Sequence, residues 1–101
     1  MVPKMKIWVV HNWGKFQHYK QEQGKPPWIK LYRDLLRDHA FMQLPESERW
    51  VVIGLWIIAA ETGNQIPDDP TYLKATLNLR RRPNLEKFER LGFIESRESL
   101  E

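Results

Sequence analysis

The sequence predicts a mainly α-helical domain with a small β component, and three observations carry that reading. The stretch Trp50–Ala60, WVVIGLWIIAA, runs eleven residues without a charge. Residues Trp28–Ala40 repeat apolar side chains at helical spacing. The β-rich runs are short and lie near the two ends, at Ile7–Val10 and at Phe93-Ile94. One hundred and one residues suffice for one hydrophobic core without disulfides or metals, and there is no cysteine.

Trp50–Ala60 is the centre of that core. An amphipathic surface helix would carry a polar residue every third or fourth position, so this one is expected to be buried on most of its circumference. It is too short for a bilayer, which needs roughly 20 apolar residues. Its many β-branched residues leave a strand as the competing reading. The flanks favour a helix over residues 45–62, with Pro45-Glu46-Ser47-Glu48 suited to a first turn and Gly63-Asn64 to a C-terminal cap. Gly54 in a helix interior costs about 1 kcal/mol relative to alanine, which points to a neighbouring helix crossing closely there.

The other elements follow in chain order. Ile7–Val10 reads as a strand ended by the turn formers Asn12 and Gly14, and Trp13, Phe16 and Tyr19 fall on one side of a helical turn. Lys20–Lys25 is a lysine-rich loop that Pro26-Pro27 terminates. In the helix predicted over 28–40, Trp28, Leu31, Tyr32, Leu35, Leu36 and His39 form the inner stripe. Lys30, Arg33, Asp34 and Arg37 lie opposite, Lys30 and Asp34 at pairing distance. After the central helix, Asp69-Pro70 is an N-cap followed by a first-turn proline, and Tyr72, Leu73, Thr76 and Leu77 are the expected inner face. Asn78–Arg82 is a turn and Pro83 opens a last helix with Leu85, Phe88 and Leu91 inward. Gly92 closes it, and Phe93-Ile94 leave as a short strand. Ile7–Val10 has few neighbours in so helical a chain. It is expected to pair with Ile66, with Phe93-Ile94, or with a second copy in a homodimer. The chain divides into an N-terminal strand and basic loop (1–27), a core (28–95) and a tail (96–101), all one domain.

Charge is unevenly distributed. Residues 1–30 carry a net +5, residues 31–70 a net −4 and residues 71–101 a net +2. Basic ends around an acidic middle fit an anionic partner met by one side of the molecule, or a scatter of solvated charges.

Two short helices joined by a turn, the second followed by Gly-Phe-Ile, match the winged form of the helix-turn-helix. In that arrangement the second helix enters the DNA major groove. Arg80, Arg81 and Arg82 stand immediately before it, where the helix N-terminus attracts phosphate. Lys87 and Arg90 are expected on its exposed face, and Asn84 within reach of a phosphate or base edge. Lys15, Lys20, Lys25 and Lys30 form a secondary basic set. Against this, Glu86 and Glu89 interrupt the positive face, and Arg90 is spaced to pair with Glu86. A single-strand stacking platform would need exposed tryptophans, and only Trp8 and Trp13 are left off the predicted core faces.

Catalysis lacks a constellation. His11, His18 and His39 have no metal-ligand spacing, and Asp68-Asp69 is explained by the helix cap. There is no glycine-rich phosphate loop, and no serine has a recognisable base partner. No enzyme activity and no cofactor are expected.

The chain resembles the N-terminal domain of phage replisome-organiser and replication-initiation proteins, and distantly the DnaD-type primosome domain. The resemblance rests on Asn12-Trp13 with Phe16–Lys20, Pro27–Tyr32 with Leu35-Leu36, and Phe41–Pro45. It continues through Leu55-Trp56 with Ala59-Ala60, Gly63–Pro67 with Asp69-Pro70, and Leu91–Ile94. Together these span residues 12–94. The resemblance implies a winged helix that binds DNA or self-associates while loading replication proteins such as a helicase or its loader; with Trp28, Trp50 and Trp56 assigned to core faces, duplex DNA is expected over single-stranded. A module of the same fold that recruits such partners without touching DNA is the alternative. With no signal-like or membrane-spanning segment in the sequence, the cytoplasm of a bacterium or phage-infected host is the expected compartment, and no membrane partner is expected. Longer members of this kind continue beyond Phe-Ile, so the chain reads as an excised domain. The arginine turn belongs to none of the matching stretches.

Overall fold

The sheet is built around β1, Met5–Val10. In this computed structural model, which describes residues 5–17 and 26–99, β1 is the middle strand of three, in the order β2-β1-β3. Strand β2 is Ile66–Pro67 and β3 is Ile94–Ser99, both antiparallel to β1. Ile7 faces Pro67 and Trp8 faces Ile66 on one side, while on the other the ladder runs from Met5↔Ser99 to Val10↔Ile94. The side chain of Asn64 prolongs the short β2 edge: its Oδ1 accepts the Val10 N–H at 2.7 Å and its Nδ2 donates to the Val10 carbonyl at 3.4 Å. The expected strand is therefore paired with both predicted segments at once. Residues 96–99 are paired strand and not tail.

Trp8 is wholly buried, and its indole N–H donates to Asp68 Oδ1 at 2.9 Å. It cannot serve as a stacking surface, because a tryptophan at the centre of a half-covered sheet is the largest apolar group the core has to bury.

Against this sheet lies α3, Glu46–Thr62, which buries Val51, Val52, Gly54, Leu55, Ile58 and Ala59. Gly63 ends it in the left-handed conformation, and the Gly63 and Asn64 N–H groups both bond to the Ala59 carbonyl. The element matches the expected bounds; its burial does not. Trp50 and Ile57 are 44% and 39% exposed, so one face of the central helix is open to solvent.

The predicted helix over 28–40 is absent. Residues 28–32 form no helix, Arg33–Arg37 is a 3₁₀ turn, and only α2, His39–Met42, is α-helical. Two local competitors explain the difference. The Gln17 side chain grips both backbone groups of Lys30, its Oε1 accepting the Lys30 N–H at 2.9 Å and its Nε2 donating to the Lys30 carbonyl at 2.8 Å. Asp38 is extended and its carboxylate accepts the Phe41 N–H at 2.9 Å, capping a new helix where the predicted one would continue. The inner stripe is accordingly undone: Trp28, Leu31, Tyr32 and Leu36 are exposed, His39 is exposed, and Leu35 alone is partly packed on the core. Asp34 pairs with Arg37 rather than Lys30. The short α1, Trp13–Phe16, leads to Gln17; Tyr19 and His18 lie outside the described residues.

Helices α4, Pro70–Thr76, and α5, Leu85–Arg90, complete the core through Leu73, Leu77, Leu85 and Phe88. Asp69 caps α4 by accepting the Tyr72 N–H, as its sequence signature requires. Tyr72, Thr76 and Leu91, expected inward, are exposed, because helices this short present only one narrow stripe to the core.

Leu55 is 1% exposed and Leu36 is 74% exposed. Leu55→Ala should therefore cost about 2–5 kcal/mol in chemical denaturation. Leu36→Ala should change stability by less than about 0.5 kcal/mol. A loss below about 1 kcal/mol at Leu55 would mean that α3 is not the centre of the core.

Candidate nucleic-acid interface

The loop between α4 and α5 runs through residues 77–84 and carries the three consecutive arginines. It is longer than the tight turn expected. It begins with Asn78 in the left-handed conformation at φ 55°, and the Leu79 N–H returns to the Lys74 carbonyl at 2.9 Å. That bond closes α4 as a glycine cap would.

Both ends of the loop are tied to the first half of α3. At the start, the Trp50 indole N–H donates to the Leu77 carbonyl at 3.0 Å. The Leu77 side chain seats on Gly54, where a Cβ would lie 2.5 Å from Leu77 Cδ2 and 3.2 Å from its Cγ. Gly54 thus owes its place to the close approach that its cost suggested. Just past the other end, Lys87 Nζ pairs with Glu48 Oε1 at 2.5 Å, both side chains being partly buried.

Between these ties Arg80, Arg81 and Arg82 are exposed, and none has a carboxylate within ion-pair distance among the described residues. Arg90, on the last turn of α5, is likewise exposed and unpaired among them, so the pairing to Glu86 considered from spacing does not form. Lys87, expected on the exposed face, is instead committed to Glu48 across the helix interface. Asn84 is the N-cap of α5, its Oδ1 accepting the Lys87 N–H at 3.2 Å, which uses the oxygen that would accept from a base edge. Glu86 and Glu89 share the exposed side of α5. With six residues, α5 has little dipole to offer phosphate, and the positive character of the site resides in the arginines themselves.

The secondary lysines are not part of this loop. Lys15 stands in the last turn of α1, and Lys30 lines a groove of about 420 Å³ with Trp13, Leu31, Tyr32 and Leu91. Lys20 and Lys25 lie outside the described residues. At the end of the β1–β3 ladder His11 Nδ1–H donates to Glu95 Oε1 at 2.6 Å, and Arg97 pairs with Glu95 at 2.9 Å. The His11 hydrogen bond, reinforced by Arg97, holds the Glu95 carboxyl below its ordinary value.

Trp50 and Glu48 are the residues of this site that sequence reasoning missed. Trp50 lies four residues before Gly54, a visible signal for a shared face. Glu48 and Lys87 are 39 residues apart, with nothing local to connect them.

No family model, curated protein or solved structure matches this chain.

If Asn84 acts as the cap of α5, Asn84→Ala should destabilise the domain by about 0.5–2 kcal/mol, and Asn84→Asp should restore most of the loss. Equal stability of the alanine variant and the parent in a denaturant titration would remove the capping role.

Proposed function

We propose that the chain is a DNA-binding winged helix-turn-helix domain acting in phage or bacterial replication initiation. The observation that carries this reading is the arginine loop: three adjacent guanidinium groups, unpaired among the described residues, on a loop tied at both ends to the central helix. Exposed cations without partners have a modest desolvation cost on meeting phosphate, and each contact releases counterions from DNA. The order α3, β2, α4, α5, β3 supports the reading, with α4 and α5 as the helix pair. The third strand is supplied by β1 from the N-terminal side instead of by a hairpin. Replication initiation comes from the resemblance of residues 12–94, which touches the scaffold and not the arginines.

Lys87 and Asn84 are occupied within the fold, and Glu86 and Glu89 flank Arg90. Contacts through Arg80, Arg81, Arg82 and Arg90 therefore go to the phosphate backbone and carry little sequence information. Duplex DNA is the favoured partner, since a helix-turn-helix engages the major groove; Trp8 is buried, while Trp28 and Trp50 are exposed. A module of the same fold that recruits a helicase or helicase loader is the second reading, favoured by the open face of α3.

Replacing Arg80, Arg81 and Arg82 together by alanine should weaken duplex binding by a similar factor for every sequence. At about 0.9 per phosphate contact, the salt slope should flatten by roughly 2 to 3 units. Stability should stay within about 0.5 kcal/mol of the parent. Anisotropy titrations at several salt concentrations read both quantities; an unchanged slope and affinity would make the arginines bystanders.

A further inference from the structure

The open face of α3 has a pattern of its own. At about 100° per residue, Glu46, Trp50, Ile53, Ile57 and Glu61 fall within one narrow sector, opposite the buried set centred on Leu55. Trp50 and Ile57 are 44% and 39% exposed, and Ile53 between them is half-buried. Their spacing of three then four residues is that of a helix–helix seam, in which each side chain seats between residues of a facing helix. The Leu77 carbonyl holds the Trp50 indole N–H at one end of the seam and Ile53 leans partly on the core, while Ile57 is left exposed. An exposed helix face with this spacing, on the helix that organises the core, is an interaction surface rather than scattered apolar exposure.

The charges at its ends say what fits. Glu46 and Glu61 are exposed, stand about 22 Å apart along the helix, and have no basic partner among the described residues. A second copy packed on this face would bring glutamate against glutamate whether the two helices ran parallel or antiparallel. An anionic lipid surface or a nucleic acid would meet the same repulsion. We infer that this face binds an amphipathic helix of a partner protein whose apolar stripe is flanked at both ends by lysine or arginine. The seam shares Trp50 with the start of the arginine loop, so its test alters Ile57, Glu46 and Glu61 and leaves Trp50 in place; it does not depend on the DNA reading.

The test uses the full chain and two labelled helical peptides of about five turns, each with leucines at i, i+3, i+7 and i+10. One peptide carries lysines at both ends of that stripe and the other glutamates. Fluorescence anisotropy should show the lysine peptide binding at least about tenfold more tightly than the glutamate peptide. Ile57→Asp, with folding checked by circular dichroism, should weaken the lysine peptide by about tenfold or more. Glu46→Lys with Glu61→Lys, which alters only exposed residues, should reverse the preference toward the glutamate peptide. Equal binding of the two peptides, no binding at about 1 mM, or an unaltered preference in the lysine-swapped variant would overturn the inference. So would self-association of the parent that Ile57→Asp abolishes, or binding to anionic vesicles through this face.

Discussion

The seat of Leu77 on Gly54 is the contact on which the rest of the arrangement depends. A helix interior gives up about 1 kcal/mol by holding glycine, and the return is an approach close enough for a leucine of the next helix to lie against the α3 backbone. That contact fixes where α4 ends. The Trp50 N–H then has the Leu77 carbonyl within reach, and the loop that follows leaves the core in one defined direction. On its far side Lys87 and Glu48 close the span. The cations are held at both ends of their loop by apolar packing and hydrogen bonds, and their own charges are spent on nothing inside the fold.

A second economy is the use of side-chain amides as backbone. Asn64 offers Val10 the donor and acceptor that a longer β2 would supply, and Gln17 does the same for Lys30. Elements as short as two and four residues can hold their places because each is completed by one such group. The cost is exposure: Lys30 is drawn out of a helix, and Trp28, Leu31, Tyr32 and Leu36 lose the face on which their spacing would have buried them.

What could be read in the sequence follows the range of the interactions. Helix α3, the Asp69-Pro70 start of α4, the Gly63 cap and the strand at Ile7–Val10 rest on signals within a few residues, and all appear. The glycine at 54 announced a close neighbour without naming Leu77. The helix predicted over 28–40 does not form although its apolar spacing is genuine, because the groups that prevent it, Gln17 and Asp38, act through hydrogen bonds that hydrophobic periodicity does not register. At the candidate interface the arginines were visible as a run. The engagement of Lys87 depends on a partner 39 residues away, and the capping role of Asn84 occupies the oxygen that the expected base contact would use. The open seam of α3 was hidden for a simpler reason: a helix apolar all round does not disclose which side is covered.

The most direct test of the account is a double-mutant cycle on Gly54 and Leu77. Leu77 Cγ itself would lie 3.2 Å from a new Cβ, so turning the methyl groups away is not enough and the side chain must also back off by a few tenths of an ångström. Gly54→Ala should therefore destabilise the parent, despite a helix-propensity gain of about 1 kcal/mol. In a Leu77→Ala background the same change should become neutral or stabilising, giving a coupling energy above about 1 kcal/mol between the two sites. If Gly54→Ala stabilises the protein by the same amount in both backgrounds, the two residues do not meet as described, and the arginine loop is positioned by something else.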